Sequence, residues 1–397
     1  METAAVGVPL RELGLVLLVA LAVTYLATGV VRSVVVRSGR LTKVRARDVH
    51  SFPKPRLGGV AMYSGFLAAM LLAHQLPALT RGFKPITPEM DAVMVAGFVI
   101  VIVGALDDLY DLNALTKLGG QIIGAVIMSA MGLNWTLLYV PFGGGTTLVL
   151  DQIQSTVLTA FFVVAMMNAI NFIDGLDGLA AGFGCIAGGA LLVFAVVILH
   201  DQGGTVSAYP PAIMAAGLVG MCAGFLPHNF EPSRIFMGDS GAMLIGLFLA
   251  AASTSASGKI NASLYGAADV VAATLPVVIV AAVFFVPVLD MLLAIIRRTL
   301  NGTGMMTADK MHIHHRLLAL GHTHRRTVLV LYSWFVVLSF GAVSYTIFPP
   351  LWATVLCLVG LSGSLWVTFG RFQIGRDCPP AGAGGQRPVA AASAPGP

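Results

Sequence analysis

Three short segments of this 397-residue chain place acidic side chains beside Asn and Gly in otherwise apolar surroundings. The candidate residues in them are Asp107, Asp108 and Asp111; Asn168, Asn171, Asp174 and Asp177; and Asp239, which lies in Gly238-Asp239-Ser240-Gly241. A carboxylate next to a membrane-length hydrophobic run is costly to bury, so each group is a candidate for function. Carboxylate and amide oxygens are also the ligands that Mg²⁺ prefers, usually together with water and substrate phosphate. The residue types therefore predict a metal and phosphate site.

The second segment has the most informative spacing. Asn168, Asn171, Asp174 and Asp177 recur every three residues, which predicts that they line one face of a helical or near-helical turn. Polar contact between membrane helices is the ordinary role for such side chains, but two amides and two acids within ten residues exceed what that role needs. We therefore expect this face to bind substrate and metal.

The other two segments lie at the ends of apolar runs. Adjacent residues on a helix point about 100° apart, so Asp107 and Asp108 are expected to have different tasks. Asp111 is expected to cap the next helix, which the pattern starts near Leu112. Asp239 precedes a long apolar run, where helix capping and metal binding are compatible because a helix N-terminus also favours phosphate.

Basic residues complete the candidate chemistry. His312, His314, His315 and Arg316 lie together in a basic segment, and they are expected to hydrogen-bond phosphate oxygens or a leaving group. A transition-metal site is the alternative for the histidines, although no Cys lies nearby. Lys117, nine residues after Asp108, is suited to neutralise a phosphate at a membrane surface.

The elements that position these residues are predicted to be membrane helices. Hydrophobic residues make up 57% of the chain and charged residues only 10%, against about 25% in soluble domains. Uncharged stretches long enough to cross a bilayer recur along the chain, and they predict an all-α polytopic bundle. We place eleven spans near residues 12–31, 57–76, 91–107, 118–132, 153–170, 179–199, 211–228, 240–257, 269–296, 328–347 and 351–369.

The distribution of basic residues predicts the orientation of this bundle. Nineteen of the 23 Lys and Arg fall in alternate loops, which are cytoplasmic by the positive-inside rule and leave the N-terminus outside. All three acidic segments then lie on the cytoplasmic face. The net charge of +5 reflects these loops and suits contact with anionic lipid head groups, and it does not indicate nucleic acid.

Two further segments have a predicted organisation. The external stretch from residue 134 to residue 152 alternates polar and apolar residues around three glycines, which predicts a surface hairpin. We expect one membrane domain over residues 1–370, followed by a disordered cytoplasmic tail over residues 371–397 that is rich in Pro, Ala and Gly.

The order of these motifs resembles a known enzyme family. Asp-Asp-x-x-Asp, then Asn-Ala-x-Asn-x-x-Asp-Gly-x-Asp-Gly, then Gly-Asp-x-Gly, then His-x-His-His is similar to the polyprenyl-phosphate N-acetylhexosamine-1-phosphate transferases. The resemblance runs from about Phe52 to Leu320. It implies a Mg²⁺-dependent enzyme, with Mn²⁺ as the alternative ion, that moves a sugar-1-phosphate from a UDP-sugar to a polyprenyl phosphate and releases UMP.

The resemblance also implies roles for individual residues. It pairs Asp107 with Asp108 as the essential acids and gives the metal to Asn171 and Asp239. The remaining matches are the phosphate-contacting Lys117, the nucleotide-side Asp174 and Asp177, the histidine motif of His312, His314 and His315, and Lys54, near the lipid or phosphate. One departure is Ser240-Gly241-Ala242, where much of the family has Ala-Gly-Ser.

Two branches of the family compete for the donor. The peptidoglycan branch uses UDP-MurNAc-pentapeptide and typically has three consecutive histidines. The branch that begins O-antigen, teichoic acid or arabinogalactan synthesis uses UDP-GlcNAc and typically has the His-Ile-His-His of residues 312–315. The resemblance therefore favours UDP-GlcNAc and undecaprenyl or another polyprenyl phosphate, in the bacterial plasma membrane.

Some questions stay open at the level of sequence. A cation-coupled transporter is the alternative from another class, since acids inside membrane spans also mark ion paths. Transfer in one step and transfer through a phosphorylated Asp107 or Asp108 are both compatible with the motifs. A homodimer is one candidate assembly.

Overall fold

The computed structural model describes residues 8–39, 54–140, 146–201, 204, 206–257, 270–300 and 313–370. These residues form twelve α-helices and one antiparallel pair of strands. The helices are α1 (Leu10–Arg37), α2 (Gly58–Gln75), α3 (Glu89–Tyr110), α4 (Ala114–Ala130), α5 (Gln152–Ile173), α6 (Leu179–Asp201), α7 (Tyr209–Asn229), α8 (Gly238–Ser257), α9 (Val270–Leu300), α10 (Ile313–Ala319), α11 (His324–Ile347) and α12 (Pro350–Phe369). The strands are β1 (Leu137–Val140) and β2 (Thr146–Val149).

The predicted helical membrane bundle is confirmed. Each of the eleven predicted spans coincides with a helix, and only the short α10 was not anticipated. Within the described ranges, nine helices are long and apolar enough to cross a bilayer, while α4 is apolar but shorter. The full count of eleven crossings and the external N-terminus stay predictions. The predicted tail beyond residue 370 lies outside the described residues.

Helix α8 forms the centre of the bundle. In the 18-residue apolar stretch of α8, 94% of the residues are buried, whereas the figure for the corresponding stretch of α12 is 11%. Helices α2, α3, α5 and α7 surround it. A Cβ on Gly104 of α3 would lie 2.3 Å from the Ser240 Cα, and one on Gly59 of α2 would lie 2.3 Å from the Gly241 nitrogen. Small residues thus let both helices approach the backbone of α8 at its N-terminal end.

The connection between α3 and α4 corrects one prediction. Asp111 does not cap α4; it ends α3 in the left-handed conformation, with φ +51°. The cap of α4 is Asn113, whose side chain accepts a hydrogen bond from the Thr116 N–H at 2.8 Å. Asn is among the strongest N-cap residues, and it outcompetes an acid two positions too early.

The predicted hairpin is confirmed and lies at the far end of the bundle from the acidic segments. Strands β1 and β2 pair antiparallel from Leu137 opposite Val149 to Val140 opposite Thr146. The Trp135 indole N–H donates to the Ser257 hydroxyl at 2.8 Å, which ties this region to the last residue of α8. Since α8 has 20 residues, its two ends are about 30 Å apart.

Candidate active site

The acidic segments meet at one end of the bundle, where α3 and α5 end and α4 and α8 begin. Asp107 is buried there. Its Oδ1 accepts the Leu112 N–H at 2.9 Å, and its Oδ2 lies 3.1 Å from the Lys117 ammonium. The first contact fixes the turn after α3, and the second joins α3 to α4.

Asp108 has a different set of partners, as the angle between adjacent helical residues predicted. Its carboxylate accepts hydrogen bonds from the N-terminus of α8: the Asp239 N–H at 2.9 Å, the Ser240 N–H at 3.3 Å and the Ser240 hydroxyl at 2.7 Å. Gly238 adopts φ +73°, and a Cβ on it would lie 2.3 Å from Asp108 Oδ2. Asp108 therefore supplies the anionic cap of α8, a role that the sequence had suggested for Asp239 itself.

Asp239 is the residue that the other groups share. Its Oδ2 lies 2.8 Å from the Lys117 ammonium, and its Oδ1 accepts a short hydrogen bond from the Asn171 amide. Lys117 thus bridges the carboxylates of Asp107 and Asp239. The structure brings four predicted residues together in one cluster: Asp107, Lys117, Asn171 and Asp239.

This donor set fits a hard cation that is completed by substrate. Which end of the Asn171 amide faces Asp239 is a matter of assignment, and a rotated amide presents its oxygen at the same position. Among the described residues, no three His, Cys, Asp or Glu side chains converge as a metal cage. Mg²⁺ is commonly held by only one or two protein oxygens together with waters and substrate phosphates. Asn171 and Asp239 satisfy that requirement.

The four residues with three-residue spacing diverge more than predicted. Only Asn168 and Asn171 lie on α5, because the helix ends at Ile173. Asn168 donates to the Gln121 side chain at 2.7 Å and to the Val164 carbonyl at 2.8 Å, so its amide is engaged in contact between α4 and α5. The prediction of a single shared face is therefore wrong, and the substrate role of Asn168 stays a prediction.

Asp174 ends α5 and faces the acidic cluster. Burial, followed by the negative charges of Asp239, Asp108 and Asp177, raises its pKa to about 7, although Arg56 acts in the opposite direction. The carboxyl thus titrates near neutral pH. A carboxyl whose pKa is raised in this way has too little positive charge nearby, and a bound metal ion would supply it.

Asp177 lies beyond α5 in the turn to α6 and pairs with another region. Its Oδ2 lies 3.3 Å from the Lys54 ammonium and accepts the Ser233 N–H at 3.0 Å. Lys54 also donates to the Ser233 hydroxyl at 2.8 Å and lies 5.0 Å from the Phe236 ring centroid. These contacts connect the segment before α2 and the loop before α8 to the turn after α5. The predicted roles of Lys54 and Asp177 toward substrate stay predictions.

The histidine motif reaches the same turn. His314, on α10, is only 3% exposed, and its ring lies against Gly175, where a Cβ would come within 2.4 Å of Nε2. The ring centroids of His314 and His315 are 4.4 Å apart. His312 lies outside the described residues, and Arg316 is exposed.

Two site residues were not selected from the sequence. Asp290 of α9 is 2% exposed, and its Oδ1 accepts the N–H of Ile313, the first residue of α10, at 2.9 Å. Arg298 of α9 is 7% exposed, and its guanidinium carbon lies 5.4 Å from the ring centroid of Phe172, next to Asn171. The available signals were an acid inside an apolar run and a basic pair before the histidines, but neither identifies a partner.

Comparison with known proteins agrees with this geometry. The profile of glycosyl transferase family 4 matches residues 90–257. The chain is 55% identical over 344 residues to the decaprenyl-phosphate N-acetylglucosaminephosphotransferase of Mycolicibacterium smegmatis. The aligned region covers 87% of this chain and 84% of that protein. It is 33% identical to the probable undecaprenyl-phosphate N-acetylglucosaminyl 1-phosphate transferase of Bacillus subtilis, over 82% of this chain and 83% of that protein.

A relative from the peptidoglycan branch is also similar. The chain is 30% identical over 373 residues to the phospho-N-acetylmuramoyl-pentapeptide-transferase of Desulforudis audaxviator, covering 87% of this chain and 98% of that protein. Both branches thus align along most of the chain. The extent and identity of these matches, together with the clustered motifs, show that this multi-pass membrane protein belongs to the polyprenyl-phosphate N-acetylhexosamine-1-phosphate transferases of glycosyl transferase family 4.

Proposed function

We propose that this protein transfers GlcNAc-1-phosphate from UDP-GlcNAc to a polyprenyl phosphate and releases UMP. Family membership supports the reaction type, and the 55% identity to a decaprenyl-phosphate N-acetylglucosaminephosphotransferase supports the sugar. The same relative favours decaprenyl phosphate as acceptor, whereas the Bacillus relative favours undecaprenyl phosphate. We place the reaction at the cytoplasmic face of a bacterial plasma membrane.

One observation carries the mechanism: Asp239 is shared by Asn171 and Lys117, while Asp108 holds the helix end on which Asp239 lies. Asn171 and Asp239 would hold Mg²⁺, or Mn²⁺ in its place. When bound, the ion neutralises negative charge on the diphosphate of the donor. Asp239 is the second residue of α8, so the N-terminal dipole of that helix adds to the attraction of phosphate.

The reaction itself needs little proton transfer. A lipid phosphate has its second pKa near 6, by analogy with other phosphomonoesters, so it is mostly a dianion at neutral pH. One of its oxygens attacks the β-phosphorus in line and forms the new P–O bond. The bond from the β-phosphorus to the oxygen bridging the two phosphates breaks, and its electron pair leaves with UMP. Catalysis of such a step is mainly positioning and charge stabilisation.

The basic residues that would stabilise the negative charge of the phosphates lie in two places. Lys117 lies between Asp107 and Asp239, where a phosphate oxygen can take the place of one carboxylate. Arg298 and the histidine helix α10 approach from α9, and we assign them to the donor phosphates. Asp107 then helps to orient the attacking lipid phosphate through Lys117, with which it pairs, whereas Asp108 is engaged by the N-terminus of α8.

The nucleotide is assigned to the turn between α5 and α6. Asp174 and Asp177 both lie in this turn, and Lys54, in the segment before α2, pairs with Asp177. An acid whose pKa lies near 7, such as Asp174, can donate a hydrogen bond when protonated and accept one when ionised. Either form suits the polar edge of a base or a ribose hydroxyl.

Donor comparison tests the proposal. Purified protein is supplied with Mg²⁺, decaprenyl phosphate and either UDP-GlcNAc or UDP-MurNAc-pentapeptide, and UMP release is measured. We expect turnover of UDP-GlcNAc alone, with Asp239→Asn as the inactive control. Turnover of the MurNAc substrate would move the chain to the peptidoglycan branch. Release of UMP from neither donor would refute the proposed reaction.

A further inference from the structure

A buried acid of α9 connects that membrane helix to the histidine motif. Asp290 lies in the apolar sequence Val286-Pro-Val-Leu-Asp290-Met-Leu-Leu and is 2% exposed. Its Oδ1 accepts the Ile313 N–H at 2.9 Å. Ile313 is the first residue of α10, which carries His314 and His315. A carboxylate is expensive to keep at such a position, so its contact calls for an explanation.

The short length of α10 provides one. The helix has seven residues, well below the roughly 12–15 at which isolated helices become even marginally stable in water. It therefore needs contacts with its surroundings to hold one orientation. A carboxylate that accepts the first backbone N–H is a favourable anchor, because it satisfies an N-terminal donor and opposes the positive end of the helix.

A second contact holds the side chain of His314, the residue after Ile313. His314 is 3% exposed, and its ring packs against Gly175. Gly175 follows Asp174 in the α5–α6 turn. The backbone of α10 is thus held by α9, while its first histidine is pressed against the turn that we assign to the nucleotide. Together these contacts leave little freedom for the imidazole to move relative to the acidic cluster.

We propose that Asp290 is a positioning residue: it holds the N-terminus of α10 so that the histidine motif meets the α5–α6 turn. This inference rests on the proposed function for its catalytic consequence, although the placement of α10 can be tested without it. The Asp290 carboxylate is engaged by the backbone of α10, so we assign it no direct contact with substrate. Its effect on the reaction passes through His314 and His315.

Chemical modification of the histidines measures this placement directly. Purified protein is treated with diethylpyrocarbonate, and the modification of His314 relative to His200 is followed by mass spectrometry. His200, on α6, has an 80% exposed side chain and does not lie on α10, so it serves as the internal reference. We expect slow reaction of His314 in the wild type and at least about tenfold faster relative reaction in Asp290→Ala, since the ring leaves Gly175 once its helix is released.

Glu89 offers a matched control. It is also a buried carboxylate, 4% exposed, and its Oε2 accepts the Ser255 hydroxyl at 2.6 Å at the other end of the bundle. Glu89→Ala removes a comparable contact and should leave the His314 reaction unchanged. Equal deprotection in both variants, or in neither, would overturn the proposal. Asp290→Asn, which keeps an accepting oxygen, should retain most of the protection and serves if Asp290→Ala does not fold.

Turnover supplies the second measurement. A displacement of about 1 Å in a catalytic group can cost about a hundredfold in rate, so kcat of Asp290→Ala should fall by about that factor, with a much smaller change in KM for UDP-GlcNAc. Glu89→Ala should keep its kcat. An unchanged kcat in Asp290→Ala would contradict the positioning role. If the wild type itself releases no UMP, the proposed function fails, and the His314 protection still decides whether Asp290 places the helix.

Discussion

Replacement of Asp108 by Asn tests whether this acid acts by holding the N-terminus of α8. In the structure its two oxygens accept three hydrogen bonds, from the Asp239 N–H, the Ser240 N–H and the Ser240 hydroxyl. Asn has nearly the same shape but only one accepting oxygen. Its NH₂ group can face the Ser240 hydroxyl, which can rotate to accept, yet the Ser240 N–H then loses its partner.

The magnitude follows from these contacts. Hydrogen bonds to charged groups contribute about 1.5–3 kcal/mol each, and a buried donor left without a partner costs about 1–3 kcal/mol. We therefore expect the native position of the helix end to be destabilised by about 2–4 kcal/mol. If turnover requires Asp239 in that position, kcat/KM should fall between about thirtyfold and a thousandfold, at 1.36 kcal/mol per factor of ten.

The assay is UMP release as a function of Mg²⁺ concentration. Because Asp239 is displaced, Asp108→Asn should need more Mg²⁺ for half-maximal rate. Ser240→Ala removes only the hydroxyl donor and serves as the graded comparison. Because the carboxylate keeps the Ser240 N–H, we expect a loss at the low end of the range for hydrogen bonds to charged groups, about 1.5 kcal/mol or roughly tenfold. Activity of Asp108→Asn within threefold of wild type would refute the capping role. A far larger loss with unchanged Mg²⁺ dependence would instead favour Asp108 as the covalently phosphorylated group.

Three further predictions concern the α5–α6 turn. Gly175→Ala should lower turnover at least about tenfold, because its Cβ would lie 2.4 Å from His314 Nε2; steady-state kinetics measures this. Burial raises the pKa of Asp174 to about 7, so between about pH 4 and pH 7 this carboxyl is ionised in the unfolded state but still protonated in the folded state. In EDTA, the melting temperature of the wild type should therefore fall as the pH rises through this range. The melting temperature of Asp174→Asn should fall less over the same range. Lys54→Met breaks the ion pair with Asp177 and should lower the free energy of unfolding by about 1–3 kcal/mol. In a double-mutant cycle, the variant that combines Lys54→Met with Asp177→Asn should lose less stability than the sum of the two single changes.

The sequence predicted the helices well because membrane spans leave a strong apolar signal. Uncharged runs placed every long helix to within about six residues at either end, and turn residues placed the hairpin of β1 and β2. Local competition between caps was harder to predict. Asp111 and Asn113 are both plausible caps by residue type, and only the backbone conformation at Asp111 shows that Asn113 has the role.

The four residues of the central cluster were predictable, but the pairing among them was not. Motif spacing selected Asp107, Lys117, Asn171 and Asp239, which do converge. That Lys117 bridges two acids follows from the packing of α4 against α3 beside α8, and no local pattern contains this information. The same limit applies to Asp290, whose partner lies 23 residues away across a segment outside the described residues.

In the proposed reaction, the transferred group is the sugar together with its phosphate. This transfer is tested most directly with UDP-GlcNAc that carries tritium in the sugar and radioactive phosphorus at the β-position. Purified protein, Mg²⁺ and decaprenyl phosphate are added, and both labels are counted in the lipid extract. We expect equal molar amounts of the two labels in the lipid, matched by UMP in the aqueous phase. Tritium in the lipid without the phosphorus label, or neither label there, would refute transfer of the sugar with its phosphate.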